Sequence, residues 1–328
     1  MKRRALPTEL GIFVALVVMM LVVALLNPRA FFQTYSLNLW MFSLSLIGLL
    51  AIGETFVILT GGIDLGPGSL IALTGVIAAL LVKLLVAPLG PLGAVAVSII
   101  ATLALGVILG LYHSFYINRL GVPPFIITLG TLIIARGAAE FTTRGRTISG
   151  LPDAFTVIGA NGSAHIPFAP FLPFASAIFI VTAIIAYLIT QHSMLGRHIY
   201  AVGGNLEAAR LSGINVEGVR AFCYGASAFL AALAGIIYAS SVTVGDPKAG
   251  NAYELTAIAA VVIGGTSLSG GVGTILGTIL GAAIMSLLPL GLTYLGVESW
   301  WQSMAIGIVV VIAVTLDSLR RMKRQRTR

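Results

Sequence analysis

The sequence predicts an all-α fold: a polytopic bundle of transmembrane helices with about ten spans and with interrupted or re-entrant helices. The clearest observation is the segment 255–297, which contains no Asp, Glu, Lys or Arg over 43 residues. A helix crosses the hydrocarbon core with about 20 apolar residues, so this segment holds two spans. A polar glycine cluster, Gly264–Gly271, interrupts it, and a bilayer tolerates such backbone only where the chain turns or lines a cavity.

Composition supports the same class along the whole chain. Hydrophobic residues make up 58% of it and charged residues 9%, against about 25% charged in soluble domains. The mean hydropathy is +1.04. The net charge of +8 comes from residues at membrane borders and tails, so it does not indicate nucleic acid as a partner. The single cysteine, Cys223, excludes an internal disulfide, and the scattered histidines, His113, His165, His192 and His198, offer no metal site.

Uncharged runs place the individual spans. The first span follows the basic residues Lys2, Arg3 and Arg4. We interpret it as an uncleaved span because no convincing cleavage site precedes Asn27. The eighth run ends at the glycine cluster and is short enough to be a half-helix. In order, the expected helices lie near residues 10–27, 40–59, 68–87, 93–115, 124–141, 172–190, 219–240, 253–266, 272–294 and 301–318.

The distribution of basic residues predicts the orientation. With the N-terminus inside, thirteen Lys and Arg residues lie in cytoplasmic segments and five in external ones, and Arg136 lies within a span. This asymmetry follows the positive-inside rule and places both termini in the cytoplasm. A long loop at about 142–171 then lies outside, where its prolines predict an ordered but non-helical segment. A second long loop, at about 191–218, lies inside and is a candidate docking element.

Two glycine clusters resemble each other. Gly61-Gly62-Ile63-Asp64-Leu65 aligns with Gly264-Gly265-Thr266-Ser267-Leu268 at a constant offset of 203, and each follows a β-branched run. Glycine breaks at corresponding places point to a transport path. The alternative is a pair of tight turns that need the backbone freedom of glycine. In contrast, the glycines at 273, 277 and 281 indicate close helix packing rather than ligand binding.

Few ionisable residues lie within the spans, and each is a functional candidate because a buried charge is costly. Glu54 is the deepest; it lines a hydrophilic path, couples to a proton, or is a protonated carboxyl bonded to a neighbouring helix. Asp64 precedes Gly66-Pro67, where a helix N-cap is the favoured role. Arg136 and Glu140 are four residues apart, which favours a pair on one helix face.

The inner loop carries the sharper pattern. Gly203-Gly204-Asn205 precedes Glu207-Ala208-Ala209-Arg210, and Gly213 follows. This order predicts a short helix that Asn205 caps and Gly213 ends, with a flat alanine face that fits a groove on a partner. No Gly-Lys dipeptide occurs, so the chain has no phosphate-binding loop, and ATP would be bound by another subunit. No nucleophile and base converge, which argues against an enzyme.

Four stretches together resemble a known family: GETFVILTGGIDLGPGS from Gly53, LGVPPFIITLGTLIIARG from Leu120, YAVGGNLEAARLSG from Tyr200 and YELTAIAAVVIGGTSLSGG from Tyr253. The chain resembles the permease subunit of bacterial ABC-type sugar importers, in the branch with ribose, galactose and galactofuranose permeases. The likeness covers nearly the whole chain, 1–328, as one permease domain. The family usually has Ser-Val where this chain has Gly66-Pro67, and the longer coupling motif of maltose-type permeases is missing after Gly213.

The resemblance implies a function and a set of partners. A permease of this kind moves a monosaccharide or similar sugar across the bacterial inner membrane, while ATP and Mg are bound by separate ATPase subunits. The other partners are a second permease subunit, identical or paralogous, and an extracytoplasmic sugar-binding protein. By this resemblance the coupling residues are Gly203, Gly204, Asn205, Glu207, Ala208, Ala209, Arg210 and Gly213.

The residues alone leave an alternative, which is an ion-coupled secondary carrier for a small polar solute. Its support is Glu54 together with the repeated glycine breaks. For either transporter the candidate translocation path comprises Glu54, Asp64, Gly61, Gly62, Gly264 and Gly265.

Overall fold

The computed structural model describes residues 8–159, 165–166 and 169–326. The helices are α1 (Thr8–Leu26), α2 (Pro28–Phe31), α3 (Thr34–Leu59), α4 (Pro67–Arg119), α5 (Pro124–Thr143), α6 (Asp153–Thr156), α7 (Phe174–His192), α8 (Met194–Gly204), α9 (Leu206–Leu211), α10 (Val216–Ser241), α11 (Tyr253–Ile263), α12 (Ile275–Tyr294) and α13 (Ser299–Arg326). Two short strands, β1 (His165–Ile166) and β2 (Ala169–Pro173), pair antiparallel.

Within the described residues, eight helices are long and apolar enough to cross a membrane. One of them, α4, has 53 residues, and at 1.5 Å per residue it would be about 80 Å long, far more than the roughly 30 Å hydrocarbon core. Gly90 breaks it with φ 67° and ψ 171°, between Pro88 and Pro91. The two halves match the separate spans predicted at 68–87 and 93–115, so the polytopic helical bundle is confirmed.

The predicted half-helix is α11. It has 11 residues, about 16 Å, and therefore crosses only about half of the hydrocarbon core. It ends at Ile263, three residues before the predicted end, because the glycine turn begins there. Its small side chains pack between α3 and α12, and Ala257, Ala259 and Ala260 are fully buried. Enclosure by protein is what makes a broken helix tolerable at this depth.

The centre of the bundle is α10, which packs against α3 and α4. Small residues bring the backbones together: a Cβ placed on Gly110 would lie 2.6 Å from the Cα of Gly225. The predicted packing role of the later glycine stripe is also confirmed, because a Cβ on Gly277 would collide with the carbonyl of Gly264. By contrast α1, α5 and α13 expose most of their apolar side chains and form the periphery of the chain.

The loop at 142–171 differs in one respect from its prediction. It was expected to be ordered but non-helical, yet Asp153–Thr156 forms α6, because Phe155 is fully buried and anchors this turn on α4 and α10. The loop is tied down further by an antiparallel bridge between Ile148 and Gly245 and by the Lys83 ammonium, which donates to the Ser149 carbonyl at 2.9 Å.

Candidate functional site

The predicted coupling segment, Gly203–Gly213, contains the last two residues of α8 and the whole of α9. The Asn205 side chain between them accepts the Ala208 N–H at 3.0 Å, which confirms the predicted N-cap. Gly213 has φ 80°, and the N–H of Ile214 donates to the Ala209 carbonyl at 3.1 Å. That bond and the left-handed glycine form the hydrogen-bonded end that satisfies the last carbonyls of a helix.

The surface of α9 is largely open. Ala209 is buried against the bundle, whereas Glu207, Ala208 and Arg210 are exposed. Leu211, the last residue of α9, is 84% exposed although its side chain is large and apolar. The exposed side of α9 therefore presents the charged side chains of Glu207 and Arg210 together with one large apolar side chain.

The preceding helix, α8, joins this surface to the membrane helices. A Cβ on Gly203 would collide with the Leu59 carbonyl at the end of α3 and would lie 2.6 Å from the Gly271 nitrogen. The Leu59 carbonyl accepts the Gly271 N–H at 3.0 Å. The Tyr200 hydroxyl donates to the Gly273 carbonyl at 2.8 Å, and burial raises the pKa of this phenol, so it remains a donor. We call these contacts of α8 with Leu59 and residues 270–273 the glycine junction.

The two glycine clusters have the same backbone geometry. The N–H groups of Gly61 and Gly62 donate to the carbonyls of Ile58 and Val57, and those of Gly265 and Thr266 donate to Val262 and Val261. Gly61 and Gly265 both have positive φ, 79° and 88°. Both clusters are therefore helix-ending turns, as the tight-turn alternative predicted. Residues that make the same hydrogen bonds in the two turns are 204 positions apart. This is one more than the alignment by residue identity gave, because the geometry of the helix end decides which residues correspond.

Glu54 and Asp64 lie together inside the bundle, with exposures of 1% and 0%. The Asp64 N–H donates to Glu54 Oε1 at 3.1 Å. The Asp64 carboxyl accepts the Gly66 N–H at 2.9 Å and, with its other oxygen, the Ser227 hydroxyl at 2.9 Å. The chain after α3 thus returns into the bundle, where the N–H of Asp64 binds α3 and its carboxyl group binds α10.

The favoured N-cap role of Asp64 is wrong. The N-cap of α4 is Gly66, which makes no side-chain cap hydrogen bond. Asp64 lies two residues too early to reach the free N–H groups of the first helical turn, so it satisfies the N–H of the capping residue instead. Pro67 occupies the first helical position, where its missing N–H costs nothing.

The expected pair between Arg136 and Glu140 is also wrong. The Arg136 guanidinium donates to the carbonyls of Pro247 and Ala249, at 2.9 and 2.7 Å. These carbonyls belong to the non-helical segment before α11 and need donors at this depth. A guanidinium supplies several donors at once, and this fixes the segment more firmly than a pair along α5 would.

Comparison with known proteins identifies the family. Residues 36–314 match the family model described as the branched-chain amino acid transport system / permease component. The chain belongs to this permease family.

Individual relatives cover nearly the whole permease. It is 39% identical over 309 residues to the ribose import permease protein RbsC of Escherichia coli (strain K12), covering 94% of this chain and 93% of the relative. It is 34% identical to the probable ABC transporter permease protein y4mJ of Sinorhizobium fredii, covering 98% and 92%. It is 33% identical to the galactose/methyl galactoside import permease protein MglC of Escherichia coli (strain K12), covering 95% and 94%.

Sequence reasoning missed several residues that the permease brings into these sites. Ser227 and Tyr200 were not singled out, because single hydroxyls on helices are common and their partners are distant in sequence. Leu211 was overlooked within the coupling pattern, although it was the one large apolar residue among exposed neighbours. His113 was considered only among the scattered histidines; it is fully buried and shares a hydrogen bond of 2.8 Å with Thr131.

Proposed function

We propose that this chain is the transmembrane permease subunit of an ATP-binding-cassette importer that brings a monosaccharide or similar sugar into the cytoplasm. The observation that carries the proposal is the glycine junction, which connects α8, the helix directly before the exposed α9, to α3 and to the loop before α12. A force applied to α9 from the cytoplasm reaches the membrane helices through α8, by the close contact of Gly203 with the Leu59 carbonyl and by the hydrogen bond from Tyr200 to Gly273. Relatives named as ribose and galactose import permeases support the sugar class.

The coupling role belongs to the segment from Gly203 to Gly213. In the proposal Glu207, Arg210 and Leu211 contact the ATPase, Ala208 lies flat in its groove, and Ala209 holds α9 on the bundle. Gly203 allows the close backbone approach at the junction, Gly204 is the exposed last residue of α8, and Asn205 separates the two helices. ATP and Mg would be held by the ATPase subunit, whose hydrolysis cycle biases the permease between two arrangements.

The translocation path is proposed along the broken helices. Gly61 and Gly265 end α3 and α11 with the same turn, and Gly62 and Gly264 lie beside them. Backbone breaks of this kind line the paths of other transporters. Glu54 and Asp64 are enclosed in the conformation described, so we assign them to the wall that moves with the turns rather than to a permanent sugar contact.

The remaining assignments follow from the family. We propose a single permease domain, a bacterial inner-membrane location with both termini in the cytoplasm, and a second permease subunit that completes the path. An extracytoplasmic sugar-binding protein would dock on the external loop at 142–171. Thirteen cytoplasmic against five external basic residues support the orientation.

The decisive experiment deletes Glu207–Gly213 from the permease and measures ATP-driven uptake of ribose and galactose by the assembled transporter in proteoliposomes. Uptake should be lost, because α9 is the surface through which ATP hydrolysis acts, while membrane insertion and the amount of folded permease should be unchanged. A matched control replaces Ser212 by Ala, which removes an exposed hydroxyl and keeps α9. Uptake that survives the deletion refutes the coupling assignment.

The alternative, an ion-coupled carrier, predicts a different result. Such a carrier would take up sugar as the permease alone, in vesicles with a proton or sodium gradient and no ATPase. The proposed permease should be inactive there. Gradient-driven uptake by the isolated chain would replace the importer proposal.

A further inference from the structure

A groove on the outer surface of the bundle has no part in the proposed transport cycle. It has a volume of about 480 Å³ and lies between α4 and α7, with α10 and α3 forming its floor. Phe56 and Phe222 meet edge to face in that floor, with ring centroids 5.6 Å apart. The volume is within the range of about 300–1,000 Å³ that is typical of ligand sites.

The lining of the groove excludes a sugar. Thr182 is the only side chain in it with a hydrogen-bonding group, and its hydroxyl is already used in donation to the Ile178 carbonyl at 2.8 Å. A sugar placed here would leave its hydroxyls unpaired, which is costly in an apolar site. A hydrocarbon chain has no hydrogen bonds to lose when it enters such a groove.

A second, polar cavity continues the groove. It has a volume of about 320 Å³, shares Leu111 and Ala221 with the apolar groove, and ends at Asn118, Arg119 and Glu217. The Arg119 guanidinium and the Glu217 carboxylate lie 3.3 Å apart and are 66% and 50% exposed. One end of the continuous depression is therefore apolar, and the other presents one positive and one negative group.

The length of the depression matches one leaflet of a bilayer. Val107 lines the apolar part and precedes Arg119 by twelve residues on α4. Twelve residues of helix rise by about 18 Å, slightly more than half of a hydrocarbon core of roughly 30 Å. An acyl chain that starts at the level of Arg119 would reach the bilayer midplane at the far end of the groove.

We propose that this depression is a binding site for a zwitterionic aminophospholipid of the phosphatidylethanolamine class. One acyl chain fills the groove between α4 and α7. The headgroup phosphate accepts hydrogen bonds from the Arg119 guanidinium, and the headgroup ammonium donates to the Glu217 carboxylate. Arg119 and Glu217 form an ion pair, so a phosphate bound to Arg119 competes with the Glu217 carboxylate. The ammonium of a zwitterionic headgroup replaces Arg119 as the partner of Glu217, and an anionic glycerol headgroup has no cation to do so.

Gly225 provides the means to test the acyl-chain part. It lines the groove, and a Cβ at this position would meet no atom within 4 Å, so a larger side chain would project into the open space. Gly225→Leu fills the groove from its floor. Gly307→Leu on α13 is the matched control, because its added side chain also meets no neighbour but lies on a helix outside the groove.

The experiment uses the full-length permease, delipidated and titrated with dioleoylphosphatidylethanolamine or dioleoylphosphatidylglycerol, with bound lipid counted by native mass spectrometry. The wild type and Gly307→Leu should retain phosphatidylethanolamine in preference to phosphatidylglycerol, and Gly225→Leu should lose the bound lipid. Arg119→Gln should weaken both lipids about tenfold, since each loses a charge-assisted hydrogen bond. Glu217→Gln should weaken only phosphatidylethanolamine and so abolish the preference.

Arg119→Gln and Glu217→Gln keep the permease folded, because an exposed ion pair contributes at most about 1 kcal/mol to stability. If Gly225→Leu and Gly307→Leu retain equal amounts of phosphatidylethanolamine, the proposed site is refuted. Equal binding of the two lipids by the wild type would overturn the headgroup assignment. If a photoreactive phosphatidylethanolamine labels the lipid-facing side of α13 but not Phe222 in the intact membrane, a second copy of the chain covers the groove, and the proposal is refuted.

Discussion

Gly203→Ala tests the glycine junction with a single methyl group. On helix propensity alone, alanine is better than glycine by about 1 kcal/mol, so the change would be harmless on a free helix. In the structure the new Cβ collides with the Leu59 carbonyl and lies 2.6 Å from the Gly271 nitrogen, well inside van der Waals contact. Either α8 moves away, or the hydrogen bond from Gly271 to Leu59 breaks.

The expected cost follows from these two outcomes. Overpacking costs about 1–3 kcal/mol, and leaving a buried hydrogen-bonding group unpaired costs a similar amount. If that energy is lost from the glycine junction, the coupling between ATP hydrolysis and transport should fall by about 5- to 150-fold. Permease that is folded but poorly coupled is the expected product, because α8 lies outside the membrane core.

The assay compares sugar uptake per ATP hydrolysed by the assembled transporter in proteoliposomes. Gly204→Ala is the matched control: it is the same change one residue later, where a Cβ would meet no atom within 4 Å. Uptake per ATP should fall in Gly203→Ala and stay at the wild-type level in Gly204→Ala. Equal values for the two variants would refute the role of the junction.

Three further predictions concern single contacts. Leu211→Asp should reduce ATPase binding in a pull-down titration by roughly 10-fold or more, with unchanged folding, because this side chain is 84% exposed; unchanged binding would remove Leu211 from the interface. Ser227→Ala should lower the thermal unfolding midpoint in detergent, as the Asp64 carboxyl loses a buried partner worth about 1–3 kcal/mol; an unshifted midpoint contradicts that bond. Arg136→Gln should speed hydrogen exchange in residues 246–250, whereas Glu140→Gln should not; the same effect from both would restore the pair expected from sequence.

Much of the fold follows from the position of uncharged runs. All ten predicted segments correspond to helical segments of the structure, because the bilayer forces apolar chain into helices and excludes charge from them. The break at Gly90 lies in the gap between the predicted spans 68–87 and 93–115. The end of the half-helix α11 was placed three residues too late, since the predicted span 253–266 ran into the glycine turn that begins at Gly264.

The local chemistry of the coupling segment was equally predictable. Asn205 caps α9 and Gly213 ends it because both roles depend on the few residues next to them. The misassigned residues, Asp64 and Arg136, were given neighbours in sequence as partners. Asp64 does bind its neighbour Gly66, but its other carboxyl oxygen binds Ser227. Arg136 binds Pro247 and Ala249, and these three partners are all more than 100 residues away.

The sequence by itself determined the class of molecule, the approximate spans and the two short caps, since each depends on hydropathy or on residues within one helical turn. Only the tertiary structure decided that α8 touches both the end of α3 and residues 270–273, and that the turns at Gly61 and Gly265 are equivalent at an offset of 204. It also decided which donors satisfy the backbone of the broken segments. The physical reason is that lipid provides no hydrogen bonds, so these groups are paired by whichever side chains the packing of distant helices brings within reach.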